Sequence, residues 1–259
     1  MEDVQKSKPE HQITIEKVGI NKLRYPVAVL KKSNDFQYTV ADVELSVELP
    51  SNIRGTHMSR FISSLERFKH KVDGEATNKL LYDILKTLDC KKAQIQMMFP
   101  FFILKRAPIS KESSLFETTC GYKAKIDNDI IDSMMIVKTV GTTLCPCSKA
   151  ISNAGAHNQK CYVTVHIKSD DFIWFEDVIG LVDECFSAPI YPLLKRKDEK
   201  WVTEVAYSSP AFVEDLVRSI YTRLGEIYKD KISYVKIKAE SDESIHQHQA
   251  FAVIEKVLK

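Results

Sequence analysis

Ile13 and Ile15 begin an alternation of apolar and polar positions that continues through Val18 and Ile20 into the run Leu23 to Val29. After a Lys-Lys-Ser-Asn turn it resumes from Phe36 to Leu49, where Val43, Leu45, Val47 and Leu49 interleave with Glu44, Ser46 and Glu48. A period of two marks strands with one buried face, and two such runs across a short polar turn predict a hairpin. The period then changes. Phe61, Leu65 and Phe68 stand at helical spacing, and Leu80, Leu81, Ile84 and Leu88 form the apolar face of a second helix over 76–88. Residues 92–106 and 115–126 return to the strand pattern.

The second half repeats this order. Strands are predicted at about 131–143 and 159–168, the latter with Cys161, Val163, Val165 and Ile167 alternating with Tyr162, Thr164 and His166. A helix follows from Trp174 to about Phe186, and residues 188–204 read as a loop. Ser209-Pro210 has the chemistry of a helix cap and first turn, opening a long helix striped by Phe212, Leu216, Ile220 and Leu224. Two further strands are predicted at about 231–240 and 249–257. Two ββααββ runs predict an α+β fold, with antiparallel sheets that carry their helices on one face. The expected division is an unstructured polar tail over 1–11, a first module over 12–128 and a second over 129–259. Short open sheet edges make self-association a natural expectation.

Composition narrows the class without naming a chemistry. The chain has 259 residues, 44% hydrophobic and 28% charged, as expected for a globular protein with a large core. A net charge of +2 with no basic block gives no reason to expect nucleic acid as a partner. The segment MEDVQKSKPEHQ lacks the apolar centre of a secretory signal, and no run approaches a membrane span. A cytoplasmic location without a membrane partner is therefore expected. Six cysteines are too few for a disulfide scaffold, and Cys90, Cys120, Cys161 and Cys185 read as small hydrophobes.

Cys145 and Cys147 stand apart. They lie in a stretch from Gly141 to Gln159 that also holds Lys149, His157 and several hydroxyls and amides. Neighbours at i and i+2 lack the geometry of an ordinary disulfide, so the pair suits a metal ligand beside a reactive thiol. His157 sits in a glycine-containing loop, where a ligand and a surface histidine look alike. Asp198 and Glu199 interrupt the basic run Lys195 to Lys200, which also reads as a solvated loop. Glu214 and Asp215 begin a helix, a place where carboxylates match the helix dipole without any further role. His246 and His248 share one side of an extended chain, as proton carriers or as two exposed rings. A thiol, an imidazole and a carboxylate together can hold Zn²⁺, Fe²⁺ or Mn²⁺ with one position open to water. Spacing alone reaches a metallohydrolase and stops there.

Several phrases, in order along nearly the whole chain, resemble the prokaryotic type IB GTP cyclohydrolases. They are Leu23-Arg-Tyr-Pro26, Arg54-Gly-Thr-His-Met-Ser-Arg60, Leu144-Cys-Pro-Cys-Ser-Lys149 and Gly155-Ala-His-Asn-Gln159 in the first part of the chain. Tyr191-Pro-Leu-Leu-Lys-Arg-Lys-Asp-Glu-Lys200, Val202-Thr-Glu204, Phe212-Val-Glu-Asp-Leu216 and Glu243-Ser-Ile-His-Gln-His248 follow. The resemblance implies a tandem tunnelling fold (T-fold), a homotetramer, and conversion of GTP and water to 7,8-dihydroneopterin triphosphate and formate, the entry to folate. It implies one divalent metal per site, Fe²⁺, Mn²⁺ or Zn²⁺, held by Cys145, His157 and Glu199. Cys147 then lies near purine C8, Glu214 anchors the guanine edge, and His246, His248 and Glu243 surround the reacting centre. Lys149, Arg54, Arg60, Lys195 and Arg196 are candidates for the triphosphate. The related archaeal enzyme, which yields a cyclic phosphate, and a non-catalytic purine-binding module remain alternatives.

Overall fold

The computed structural model describes residues 4–68 and 70–258. It divides into two compact units, residues 1–100 with 121–135, and residues 101–120 with 136–259. Residue 128, the expected end of the first module, lies within the segment 121–135 of the first unit. Residues 1–3 of the expected tail lie outside the described residues. Further along that tail, Val4–Lys6 form one 3-10 turn, and Arg54 and Gly55 donate backbone hydrogen bonds to Ser7 and Gln5.

The first unit begins with strands β1 (Ile15–Leu30) and β2 (Phe36–Leu49), the expected antiparallel hairpin. Helix α1 (Met58–Arg67), the two-residue strand β3 (Lys71–Val72) and helix α2 (Gly74–Leu88) follow. Strands β4 (Lys92–Arg106), β5 (Ser113–Asp127) and β6 (Ile130–Leu144) are long enough to contribute to both units. Strand order in this unit is β3-β1-β2-β4-β5-β6. Its core is the inward parity of β2, with Val43, Leu45 and Val47 buried, together with Phe61, Leu65, Leu80, Leu81 and Ile84 from the two helices. Asp73 caps α2 by accepting from the Ala76 amide at 2.7 Å.

The second unit continues with α3 (Pro146–Ile151), β7 (Asn158–Ser169), α4 (Phe175–Asp183) and the short β8 (Ala188–Pro189). Helices α5 (Arg196–Ser208) and α6 (Val213–Tyr228) lead to β9 (Ile232–Ser241) and β10 (Ala250–Val257). Its strand order is β10-β9-β7-β6-β5-β4, with β8 on β6. Phe175, Val178, Ile179 and Val182 of α4 and Leu216, Ile220 and Leu224 of α6 are buried, as are the inward positions of β7 and β9.

Two expectations change here. Residues 196–208 form α5 where a loop was expected, because Asp198 turns its carboxylate back to accept from the Lys195 amide at 2.9 Å. It also accepts from the Ile109 and Ser110 amides at 2.8 and 2.7 Å. Burial alone would raise this carboxyl, but those hydrogen bonds outweigh it and hold Asp198 far below the usual carboxylate range. Helix α6 begins at Val213, later than Ser209-Pro210, because the Asp215 carboxylate accepts from the Phe212 amide at 3.2 Å and fixes the first turn there.

Lys105 and Asp183 form a buried ion pair at 2.6 Å. The same ammonium donates to the Ile190 carbonyl at 3.0 Å and lies 3.9 Å from the centre of the Phe116 ring. Burial pushes the lysine down and the aspartate up, and each charge opposes the other's shift. The pair pins the segment between β8 and α5.

Candidate active site

Strand β6 delivers Cys145 to the start of a tight loop. Cys145 precedes the first turn of α3, and its sulfur accepts from the Ser148 amide at 3.4 Å. Pro146 occupies the first helical position, where its missing N–H costs nothing. Gly155 at φ +113° lets the chain turn back. The loop closes through two bonds, Cys145 N–H to the His157 carbonyl at 3.1 Å and His157 N–H to Ser148 Oγ at 3.2 Å. Two residues twelve apart in sequence are thereby held side by side. Cys147 lies on α3, a helix rather than a strand, and is exposed.

Other segments are tied to this corner by backbone bonds. Ala211 donates to the Leu144 carbonyl at 3.1 Å, which sets Phe212, Val213 and Glu214 beside it. Asp242 donates to the Lys160 carbonyl at 2.9 Å, and His246 donates to the Glu243 carbonyl at 3.1 Å. Cys145, His157, Glu214, Glu243, His246 and His248 consequently line one pocket of about 500 Å³, walled also by Phe212 and Phe251. The His246 and His248 rings stack with centroids 5.0 Å apart and planes 16° apart. Their segment forms a turn, so the expected juxtaposition arises from stacking and not from an extended chain.

Not every candidate joins this pocket. Glu199 is exposed near the start of α5, and among the described residues no three His, Cys, Asp or Glu side chains stand close enough to hold a metal. Glu199 does share a helix face with Val202 and Ala206, which pack with Leu144 and Ala156, the neighbours of Cys145 and His157. Lys149 is committed elsewhere, donating to the Tyr207 carbonyl at 2.5 Å with its ammonium 4.5 Å from the Tyr207 ring centre. Lys195 and Arg196 are exposed at the start of α5. Arg54 and Arg60 belong to the first unit, where Arg60 donates to the Thr87 carbonyl at 3.2 Å.

Three polar residues went unassigned in the sequence and prove to be built into the site. Gln159, Thr143 and Ser241 are buried, and Gln159 Oε1 lies 2.8 Å from His157 Nδ1. Each occupies an inward-facing strand position, on β7 and β9 among otherwise apolar side chains. A polar residue at a buried parity was the available signal. Of the remaining cysteines, Cys120 and Cys161 are fully buried, with burial pushing the Cys161 thiol up to about 12, whereas Cys90 and Cys185 are only half-buried.

The fold agrees with solved structures of very different sequence. The uricase from Arthrobacter globiformis superposes with a TM-score of 0.54 at 9% identity, covering 93% of each chain. A urate oxidase from Bacillus sp. TB-90 gives 0.56 at 7% identity over 94% of this chain and all of the other. The architecture is therefore that of the tunnelling-fold proteins. The family described as type I GTP cyclohydrolase folE2 matches residues 1–252. The GTP cyclohydrolase FolE2 of Thermosipho africanus is 44% identical over 254 residues, 98% of this chain and 97% of that protein. That of Geobacter sp. strain M21 is 42% identical over 256 residues, 99% and 95% of the two chains. This chain belongs to the type I GTP cyclohydrolase FolE2 family.

Proposed function

We propose that this protein is a type IB GTP cyclohydrolase, which opens the purine ring of GTP to give 7,8-dihydroneopterin triphosphate and formate, the first step toward folate. The observation that carries this reading is the pocket that gathers a thiol, three imidazoles and two carboxylates in a chain of this family. The donor set suits a divalent metal, with the Cys145 sulfur and His157 ring on the pocket wall and Glu199 on the helix face packed beside them. Cys145, His157 and Glu199 would hold it, and a bound metal supplies a water acidic enough to act as hydroxide near neutral pH.

The chain's own residues account for the other demands of the reaction. Asp215, not Glu214, caps α6, and Glu214 lines the pocket, so its carboxylate can accept from guanine N1–H and the 2-amino group. Adenine offers no such pair of donors, and leaving the carboxylate unsatisfied discriminates against it. His246 and His248, stacked in the pocket wall, would hold and return a proton at the ring nitrogen that departs. Phe212 and Phe251 supply apolar walls for a flat base. Lysine and arginine side chains bind the triphosphate, and a homotetramer is the expected assembly.

The test is an anaerobic incubation of metal-stripped protein with GTP and Fe²⁺, Mn²⁺ or Zn²⁺ added separately, with formate quantified and the pterin identified by mass. Stoichiometric formate with a triphosphate product supports the reading. A cyclic phosphate product moves the protein to the archaeal type of reaction, and no formate with any metal removes the enzyme reading altogether.

A further inference from the structure

Behind His157 lies a chain of buried polar groups, one of which, Thr143, also lines the pocket. Gln159 Oε1 lies 2.8 Å from His157 Nδ1. The other end of the same amide, Gln159 Nε2, donates to Thr143 Oγ1 at 3.4 Å. Thr143 Oγ1 is in turn 3.4 Å from Ser241 Oγ. Thr143 and Ser241 are 1% and 0% exposed, and Gln159 is 9% exposed, so water does not substitute for these partners. The three residues come from three adjacent strands, at the last inward position of β6 and of β9 and the first of β7.

Two hydrogen-bond states satisfy such a chain on paper. In one, the Gln159 oxygen accepts from a protonated His157 Nδ1, and the amide nitrogen donates to Thr143. In the other the amide is flipped, donates to an unprotonated Nδ1, and leaves the proton on Nε2. The groups around the ring decide between them. Glu243 Oε2 lies 3.7 Å from the same Nδ1, with both side chains largely buried at 12% and 15% exposure. A carboxylate beside a ring nitrogen favours a hydrogen there and disfavours a lone pair, and does so more strongly where water is excluded.

We infer that Gln159, oriented by Thr143 and Ser241 and reinforced by Glu243, is a positioning residue that holds His157 as its Nδ1–H tautomer and so leaves the Nε2 lone pair available for a metal. The inference rests on the reading of His157 as a ligand. It adds a defined role for three residues outside the proposed ligand set, of which Thr143 also lines the pocket. It also gives Glu243 a task separate from any in the reaction. A metal-ligating imidazole needs its second nitrogen tied to an acceptor, and loss of such a partner typically weakens metal binding about 10- to 100-fold.

The experiment uses the full-length protein, stripped of metal. Nitrogen-15 NMR of the neutral imidazole reads the His157 tautomer directly, assigned by comparison with His157→Ala. Cobalt(II) titration, followed by its thiolate charge-transfer band, reads the affinity. Wild type should show the Nδ1–H form. Gln159→Met, which fills the same space without an acceptor, should mix the tautomers and bind cobalt about 10- to 100-fold more weakly. Gln159→Glu, which keeps an acceptor, should stay within a few-fold of wild type. Should Gln159→Met fail to fold, Thr143→Val removes the orienting hydroxyl instead and should shift the tautomer in the same direction. An Nε2–H form in the wild type overturns the inference, as does cobalt affinity in Gln159→Met equal to wild type. Wild-type protein that shows the Nδ1–H form yet takes up no cobalt would refute the metal reading and leave the tautomer assignment standing.

Discussion

Replacing Lys105 with methionine tests what holds the segment leading into α5. At 2.6 Å and an effective dielectric constant near 20, the attraction between Lys105 and Asp183 is about 6 kcal/mol. Burying two ions consumes much of that gain, so the intact pair adds little net stability. Removing the lysine alone is a different matter. Asp183 is left as a buried charge without its cation, and its Oδ1 atom already has no hydrogen-bond partner among the described residues. The expected cost is about 3–5 kcal/mol. With a urea slope of about 3 kcal/mol per molar, the unfolding midpoint should fall by about 1 M or more. The double variant Lys105→Met/Asp183→Leu removes both charges and should recover most of the loss. The pH dependence has a definite sign. Burial raises the Asp183 carboxyl already in the native protein, and loss of Lys105 removes the group that opposes this shift. The folded state then binds a proton more readily than the unfolded state, so the penalty disappears as pH falls toward the ordinary carboxylate value and grows as pH rises through the raised one. A double variant no more stable than Lys105→Met would refute the reasoning, as would a single-variant cost below about 1 kcal/mol.

Three other outcomes follow from particular contacts. Gly141→Ala places a methyl carbon 2.1 Å from the Phe186 ring, which is itself buried, and should lower stability by about 1–3 kcal/mol in thermal melts; an unchanged melting temperature would mean that the ring moves aside freely. Asp198→Asn should flatten the acid limb of the stability curve. The native carboxyl is held below its unfolded value, so the stability it contributes is present above the unfolded pKa and is lost as pH falls through the folded one; an acid profile identical to wild type would exclude that role. Glu214→Ala should weaken GTP binding to the metal-free protein by about 100-fold, consistent with losing two charge-assisted hydrogen bonds, and equal affinity in calorimetry would remove Glu214 from the guanine site.

Local pattern was enough to determine the elements that depend on neighbours in sequence. The period-two runs of β2 and β7 and the 3.6-residue stripes of α2 and α6 appear where the spacing placed them, because burial of one face is written into alternation itself. The Cys145 and His157 corner was also legible, since both belong to one short loop. Helix α5 was not legible. Its first turn is held partly by Asp198 reaching back to Lys195, but that carboxylate is buried only because the turn at Ile109 and Ser110, nearly ninety residues earlier, supplies two more donors. The start of α6 was displaced by a local contact instead, the Asp215 carboxylate accepting from the Phe212 amide three residues earlier.

The site divides along the same line. Sequence alone determined which residue types were available and, through the family's phrases, which of them belong together. Only the tertiary structure decided which of them share a pocket, because pairing of β6, β7 and β9 brings residues 143, 159 and 241 side by side across nearly a hundred positions of chain. Lys149 illustrates the opposite result, a cation suited to phosphate that the fold ties to the end of α5. A hydrogen bond between strands depends on register, and register is set by the whole sheet rather than by the residues that make the bond.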